Sequence, residues 1–301
     1  MQELLQSIMK EDNSSLLGYT RKFRKLYKRL DKNEKRKTFD LLIEQSYYFN
    51  KLGHTSHNQF GQLFDRIHQV LPDGLKFLID IRADLLDIID TEKRNNSASS
   101  LYTRFSDLEQ DIRLKLKEYI TKCLKLEQIK WQNTSGDILE KICTYEAVHA
   151  VQDWKDLKRR LGPDRRVYGL FFEDSLNKAN EPLVFIHVAL VPELSTSIQD
   201  IINAKEFFLD NDEEEDRVMK RQQQTFKYAI CYSITTQKGL GGIHLGHYLI
   251  KKAIENLKQT HHQIHTFATL SPIPGFRTWL NNNIHTIIQA EFNTIKNWKM
   301  V

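Results

Sequence analysis

Through its first 125 residues the chain sets apolar side chains at helical spacing, and after about residue 127 that spacing gives way to short apolar runs. Phe39, Leu42, Ile43 and Tyr47 fall at i, i+3, i+4 and i+8. Leu78, Ile81, Leu85, Ile88 and Ile89 mark a second face; Ile112, Leu116, Tyr119, Ile120 and Cys123 mark a third. Gly53, Pro72-Asp73-Gly74 and residues 95–100 (NNSASS) separate these stretches as turns. No alternating strand pattern competes, so the first half predicts a bundle or array of helices.

The second half mixes the two periods. Ser135-Gly136-Asp137 leads into a helix over 138–149, and Gly162-Pro163 ends another. Residues 167–172 are aromatic and branched, as strands are, and 174–182 read as a loop. Residues 183–190 (LVFIHVAL) are apolar almost without interruption, which suits a central strand. Ser195-Thr196-Ser197 cap a helix carrying Ile198, Ile201 and Ile202, and 210–216 form an acidic, solvated loop. Residues 226–236 (FKYAICYSITT) are a strand, followed by a glycine-rich loop, a helix with Leu245, Leu249, Ile250, Ala253, Ile254 and Leu257, and a strand over 265–270. The fold class predicted is α+β: an all-helical domain over 1–126, then a mixed α/β domain over 127–301.

The totals exclude several classes. No run of 18 uncharged apolar residues is present, so no membrane span is expected, and no secretion signal or lipidation motif is visible at the ends. Cys123, Cys143 and Cys231 lie far apart, which fits a reducing, cytoplasmic setting and gives no metal spacing. His54, His57 and His68 lack a completing carboxylate or cysteine, so no metal is expected. The net charge of +5 is partly concentrated in Arg21-Lys22, Arg24-Lys25 and Lys28-Arg29. Phe23, Leu26 and Leu30 make that stretch a helix with a solvated basic face, and no motif supports nucleic-acid binding.

Two stretches carry candidate chemistry. Gly239, Gly241, Gly242 and Gly246 are four of twelve glycines packed into eight residues, between a strand and a helix. Amides at a helix N-terminus bind phosphate, and glycine lets an anion approach the backbone. The stretch matches neither a dinucleotide nor a nucleoside-triphosphate fingerprint. It resembles the pyrophosphate loop of acyl-CoA-dependent acetyltransferases, and by residue type it is equally a tight turn. The second stretch, Leu270-Ser271-Pro272-Ile273-Pro274-Gly275-Phe276, holds two of six prolines. They fix two backbone angles, remove two donors and bias Ser271 and Ile273 toward extended conformations. This is a stiff corner that either only turns the chain or presents a serine at the end of a strand.

Taken in order, the motifs identify a family. Tyr145-Glu146-Ala147-Val148-His149, Asp153-Trp154, residues 159–166 (RRLGPDRR), 181–190 (EPLVFIHVAL), Ser197-Ile198-Gln199, Tyr232-Ser233-Ile234, Gly239-Leu240-Gly241-Gly242 and the Ser271 corner together resemble malonyl-CoA decarboxylase over about 127–280. The helical half resembles that family's helical domain more weakly. The resemblance implies an acetyltransferase-like fold in the second domain and loss of CO2 from malonyl-CoA to give acetyl-CoA. It implies no cofactor, because the thioester is itself the electron sink. It carries the catalytic serine onto Ser271 and the CoA phosphate loop onto Lys238, Gly239, Leu240, Gly241, Gly242 and Ile243. A homo-oligomer through the helical domain is a further expectation.

The motifs stop near residue 280, and no residue in the tail, His285 included, matches the family's later catalytic histidine. His187 reads as a core residue, and His244 and His247 lie beside the loop. The chain therefore reads as a family member cut short at its C-terminus by a frameshift or early stop, with the tail from about Asn281 out of register and the second domain incomplete. Reduced stability and little or no decarboxylase activity are expected on that reading. An inactive acyl-CoA-binding relative, an acyltransferase using the same loop, and a helical interaction protein acting through residues 1–125 are the alternatives.

Overall fold

The computed structural model describes residues 1–10, 13–51, 59–94, 100–173, 181–204, 226–271, 273 and 275–298. The acidic run 210–216, most of the loop at 174–182, Gly53, His54, His57, residues 95–99, Pro272 and Pro274 lie outside the described residues.

Six helices come first: α1 (Gln2–Lys10), α2 (Asn13–Tyr27), α3 (Lys32–Lys51), α4 (Gln59–Val70), α5 (Gly74–Arg94) and α6 (Ser100–Lys122). Helix α5 is central. Phe77, Leu78, Ile79, Ile81, Leu85 and Ile88 bury more than one face of it, against α3, α4, α6 and a turn of the second half. His68 packs on Tyr119, with ring centroids 4.4 Å apart, and on Phe172.

After α6 come β1 (Leu124–Ile129), α7 (Gly136–Tyr145), α8 (Trp154–Arg160), β2 (Arg165–Phe172), β3 (Val184–Val191), α9 (Ile198–Ile202) and β4 (Tyr228–Thr236). A 3-10 turn (Lys238–Leu240), α10 (Leu245–Thr260), β5 (Thr266–Thr269) and α11 (Phe276–Trp298) complete the described chain. The strands form one sheet in the order β1-β2-β3-β4-β5. Its first three pairings are antiparallel, and β4–β5 is parallel. A parallel neighbour needs a crossover, and α10 is that crossover.

Two elements differ from the sequence reading. Strand β1 is additional and spans the expected boundary at 126/127. Its alternation of Leu124 and Leu126 with Lys125 and Glu127 is brief and sits directly behind a long helical pattern. Helix α7 ends at Tyr145 rather than 149, because Glu146 leaves the helical region at ψ 107 and its carboxylate accepts the N–H groups of Val148 and His149. A side chain that takes those donors competes with the next helical turn.

Strand β3 is buried along almost its whole length. Val184, Ile186, Val188 and Leu190 face a core shared with α10 and the six N-terminal helices, which runs from Leu5 to Ile264. The alternate residues Phe185 and Ala189 enter two smaller clusters on the opposite face. The helical half and the sheet therefore share one apolar core.

Candidate active site

Because β4 and β5 run parallel, the chain leaves both strands at the same edge of the sheet. The glycine loop follows β4 and the Ser271 corner follows β5, so one edge carries both sequence candidates. Ligands of open α/β sheets bind at the carboxyl ends of parallel strands for this topological reason.

The pairing of β5 with β4 ends there, next to a bulge in β4. β4 and β5 pair from Tyr228↔Thr266 to Cys231↔Thr269, and the N–H of Leu270 adds a bond to the carbonyl of Cys231 at 2.9 Å. On its other side β4 pairs His187 with Ser233 and Val188 with Cys231, which leaves Tyr232 as an extra residue. A bulge bends its strand and raises the local twist, and this one sits where the β5 pairing stops. Ser271 is exposed, two residues past Thr269, and the register carried forward sets it level with Ser233. The corner turns at Gly275, whose φ is +77, with the Phe276 N–H donating to Ile273 O at 3.2 Å. Glycine adopts that backbone without a Cβ clash.

Behind the bulge lies a buried polar cluster. Ser233 Oγ donates to Glu146 Oε1 at 2.8 Å, and the same oxygen accepts from the N–H groups of Val148 and His149 at 2.9 and 3.1 Å. His187 Nε2 lies 3.2 Å from Glu146 Oε2, with both side chains fully buried. Burial alone pushes the Glu146 carboxyl up, but His187, the His149 amide and Ser233 outweigh it and hold the carboxyl at about 2. Burial drives the His187 imidazole below its ordinary value against the pull of Glu146. The Tyr232 ring lies 5.7 Å from that of His187 and 6.3 Å from that of His149, and burial pushes its phenol up to about 12. His187 is a core residue, as its place in an apolar strand predicts. The roles of Glu146 and Ser233 had no signal beyond their presence in motifs: 87 residues separate them, and a bulge brings them together.

The glycine loop is half anchor and half surface. Gly239, Leu240 and Ile243 are buried, while Lys238, Gly241 and Gly242 are exposed. The Leu240 N–H closes the turn on Gln237 O at 2.8 Å, and Ile243 N–H donates to Leu240 O at 3.3 Å. These two amides are thus spent within the loop. Gly242 has φ +77, and His244, the residue before α10, has φ 61. The 16 residues of α10 then place the positive end of a helix dipole at this edge. Lys238 Nζ lies 2.5 Å from Asp87 Oδ1 on α5, and Gln237 Nε2 donates to Pro182 O at 2.9 Å.

The remaining motifs build the frame. Glu181 is buried, accepts the Tyr145 hydroxyl at 2.8 Å and lies 3.5 Å from Lys76 on α5. Asp164 accepts both arms of Arg159 at 2.7 and 2.9 Å and Arg165 at 2.7 Å, all three being buried. Among the described residues no three His, Cys, Asp or Glu side chains converge on a metal position, and no helix is long and apolar enough to cross a membrane.

Both halves of the chain match known proteins. The family model for the malonyl-CoA decarboxylase C-terminal domain matches residues 122–297, and that for the N-terminal domain matches 22–119. The first match runs through α11, past residue 280 where the motifs end. The malonyl-CoA decarboxylases of goose (Anser anser anser) and mouse, both named as mitochondrial, are 37% identical over 224 residues. Those matches take 74% of this chain but span only 40% of the goose protein and 41% of the mouse protein. The solved malonyl-CoA decarboxylase of Rhodopseudomonas palustris superposes with TM-score 0.71 at 26% identity, over 94% of this chain and 68% of that one. That of Cupriavidus metallidurans gives 0.66 at 27%, over 93% and 64%. With both halves matched in order and the loop and serine corner on one sheet edge, this chain belongs to the malonyl-CoA decarboxylase family.

Proposed function

We propose that the chain binds malonyl-CoA across the C-terminal edge of β4 and β5 and promotes loss of its carboxylate as CO2. The observation that carries the reading is the parallel β4–α10–β5 unit, which sets a glycine loop and Ser271 at one edge beside a bulge. The free amide of Gly242 and the first turn of α10 suit the phosphates of CoA, with the exposed residues of 238–243 contributing through their backbone. The pantetheine arm then runs along the sheet edge toward Ser271.

The reaction needs no cofactor. The C–C bond to the carboxylate breaks, its electron pair moves onto the thioester oxygen as an enolate, CO2 leaves, and the α-carbon takes a proton. A protein assists by holding the carboxylate out of the thioester plane and by donating hydrogen bonds to the developing oxyanion. In this reading the Ser271 hydroxyl gives such a bond to either group. Incubating the purified chain with malonyl-CoA tests this: acetyl-CoA and CO2 should form in equal amounts and stop forming in Ser271→Ala. CoA binding without product would overturn the reaction and leave the binding.

One observation favours that second reading, an acyl-CoA-binding relative without turnover. The match covers only 40% of the goose malonyl-CoA decarboxylase and 41% of the mouse one. The proposal keeps the chain in the cytoplasm, on the strength of three dispersed cysteines without a disulfide. The relatives' mitochondrial names set the contrary outcome for cell fractionation. Self-association through the helical half is tested by light scattering.

A further inference from the structure

We infer that Arg82, on a helix of the N-terminal half, is a positioning residue for the CoA-phosphate loop; this rests on the reading of that loop given above. Arg82 is 2% exposed, among the largest fully buried side chains of the protein. Its Nη1 donates to Gly239 O at 2.5 Å and its Nη2 to Gly241 O at 2.8 Å. Nε and Nη2 also donate to Glu109 Oε1 on α6, at 3.0 and 2.5 Å. One guanidinium therefore reads two loop carbonyls from inside the helical half, and Glu109 fixes its rotation.

The consequence for the loop follows from peptide geometry. In a trans peptide the N–H points opposite to the C=O. Holding Gly239 O inward turns the Leu240 N–H the other way, where it closes the turn on Gln237 O. Holding Gly241 O inward turns the Gly242 N–H outward, away from α5. Among the described residues that amide donates to no protein group. Gly242 is exposed with φ +77 and lies at the edge where α10 begins. The guanidinium spends its hydrogen bonds on the two carbonyls and Glu109. It also keeps the negative ends of two peptide dipoles pointed away from the place an anion would occupy. Lysine cannot do this, because a compact ammonium lacks the planar fork that spans two carbonyls and a carboxylate.

The test uses the full chain and two probes, coenzyme A and pantetheine, the latter lacking every phosphate. Arg82→Met should bind coenzyme A about ten-fold more weakly, the size of one lost charge-assisted hydrogen bond, while its affinity for pantetheine stays as in the wild type. Amide exchange over 237–246 should quicken while that of β2 and β3 does not. If Arg82→Met fails to fold, Arg82→Lys is read in its place, with the same selective loss expected. Unchanged coenzyme A affinity overturns the inference, and so does an equal loss for both probes, since that marks a general collapse. A wild-type chain that binds no coenzyme A overturns the phosphate-site reading itself and takes the inference with it.

Discussion

A Cβ on Gly239 would lie 2.0 Å from the carbonyl oxygen of Ile79. The glycine loop of the second half thus rests backbone to backbone on helix α5 of the first. The opposing atom is main chain in the middle of a buried helix and cannot swing aside. Gly239→Ala should therefore cost about 1–3 kcal/mol, as overpacking does, and displace the loop. Gly241, exposed with no heavy atom within 3.8 Å of a built Cβ except Lys238 O, should accept alanine within about 0.5 kcal/mol. Urea unfolding of the two variants side by side checks the contrast.

Ser271 is exposed and lies outside the apolar core. Ser271→Ala should leave the melting temperature unchanged, since surface substitutions stay within about 0.5 kcal/mol. Any malonyl-CoA turnover should fall by about 100-fold or more, in the range for losing a positioned hydrogen-bonding group, while coenzyme A affinity holds. Calorimetry and product assay on one preparation separate the two effects.

Asp164 holds two buried arginines, Arg159 and Arg165. Asp164→Ala leaves both guanidiniums buried without their carboxylate. The expected loss is about 3–5 kcal/mol, the cost of breaking a buried pair from one side. A chemical denaturation midpoint unchanged from wild type would refute this.

His261 gives the stability a pH dependence. Arg166 Nη2 lies 2.7 Å from its Nε2 and can only donate, so that nitrogen must keep its lone pair. Burial first, and the Arg166 charge second, push the imidazole down to about 4. In the unfolded chain the ring takes a proton near pH 6.5. Between about pH 6.5 and 4 the unfolded chain therefore binds the additional proton, and stability falls as pH falls. Glu146, held at about 2, adds a loss below its unfolded value of 4.5. Thermal melts from pH 7 to 4 should show the decline, and His261→Gln should flatten its upper part.

Most elements were legible in the sequence because their patterns are local. The apolar spacing of α3, α5 and α6, the apolar run of β3, and the proline and glycine punctuation each need only a few neighbouring residues. Strand β1 was hidden, since six residues with two leucines cannot outweigh the helical pattern they follow. The end of α7 was misplaced because the side chain of Glu146, rather than a breaker residue, halts the helix.

The candidate site divides along the same line. The sequence by itself determined that a glycine-rich loop follows one strand and a proline-flanked serine follows the next, since glycine and proline act on their own backbone. Only the tertiary structure decided that both leave the sheet at one edge, that β4 bulges at Tyr232, and that Ser233 reaches Glu146 across 87 residues. The same holds for Gly239, which reads as an anion contact by residue type and is in fact required by its packing on Ile79. A contact between distant segments depends on strand register and helix docking, and neither leaves a periodic trace in the segments themselves.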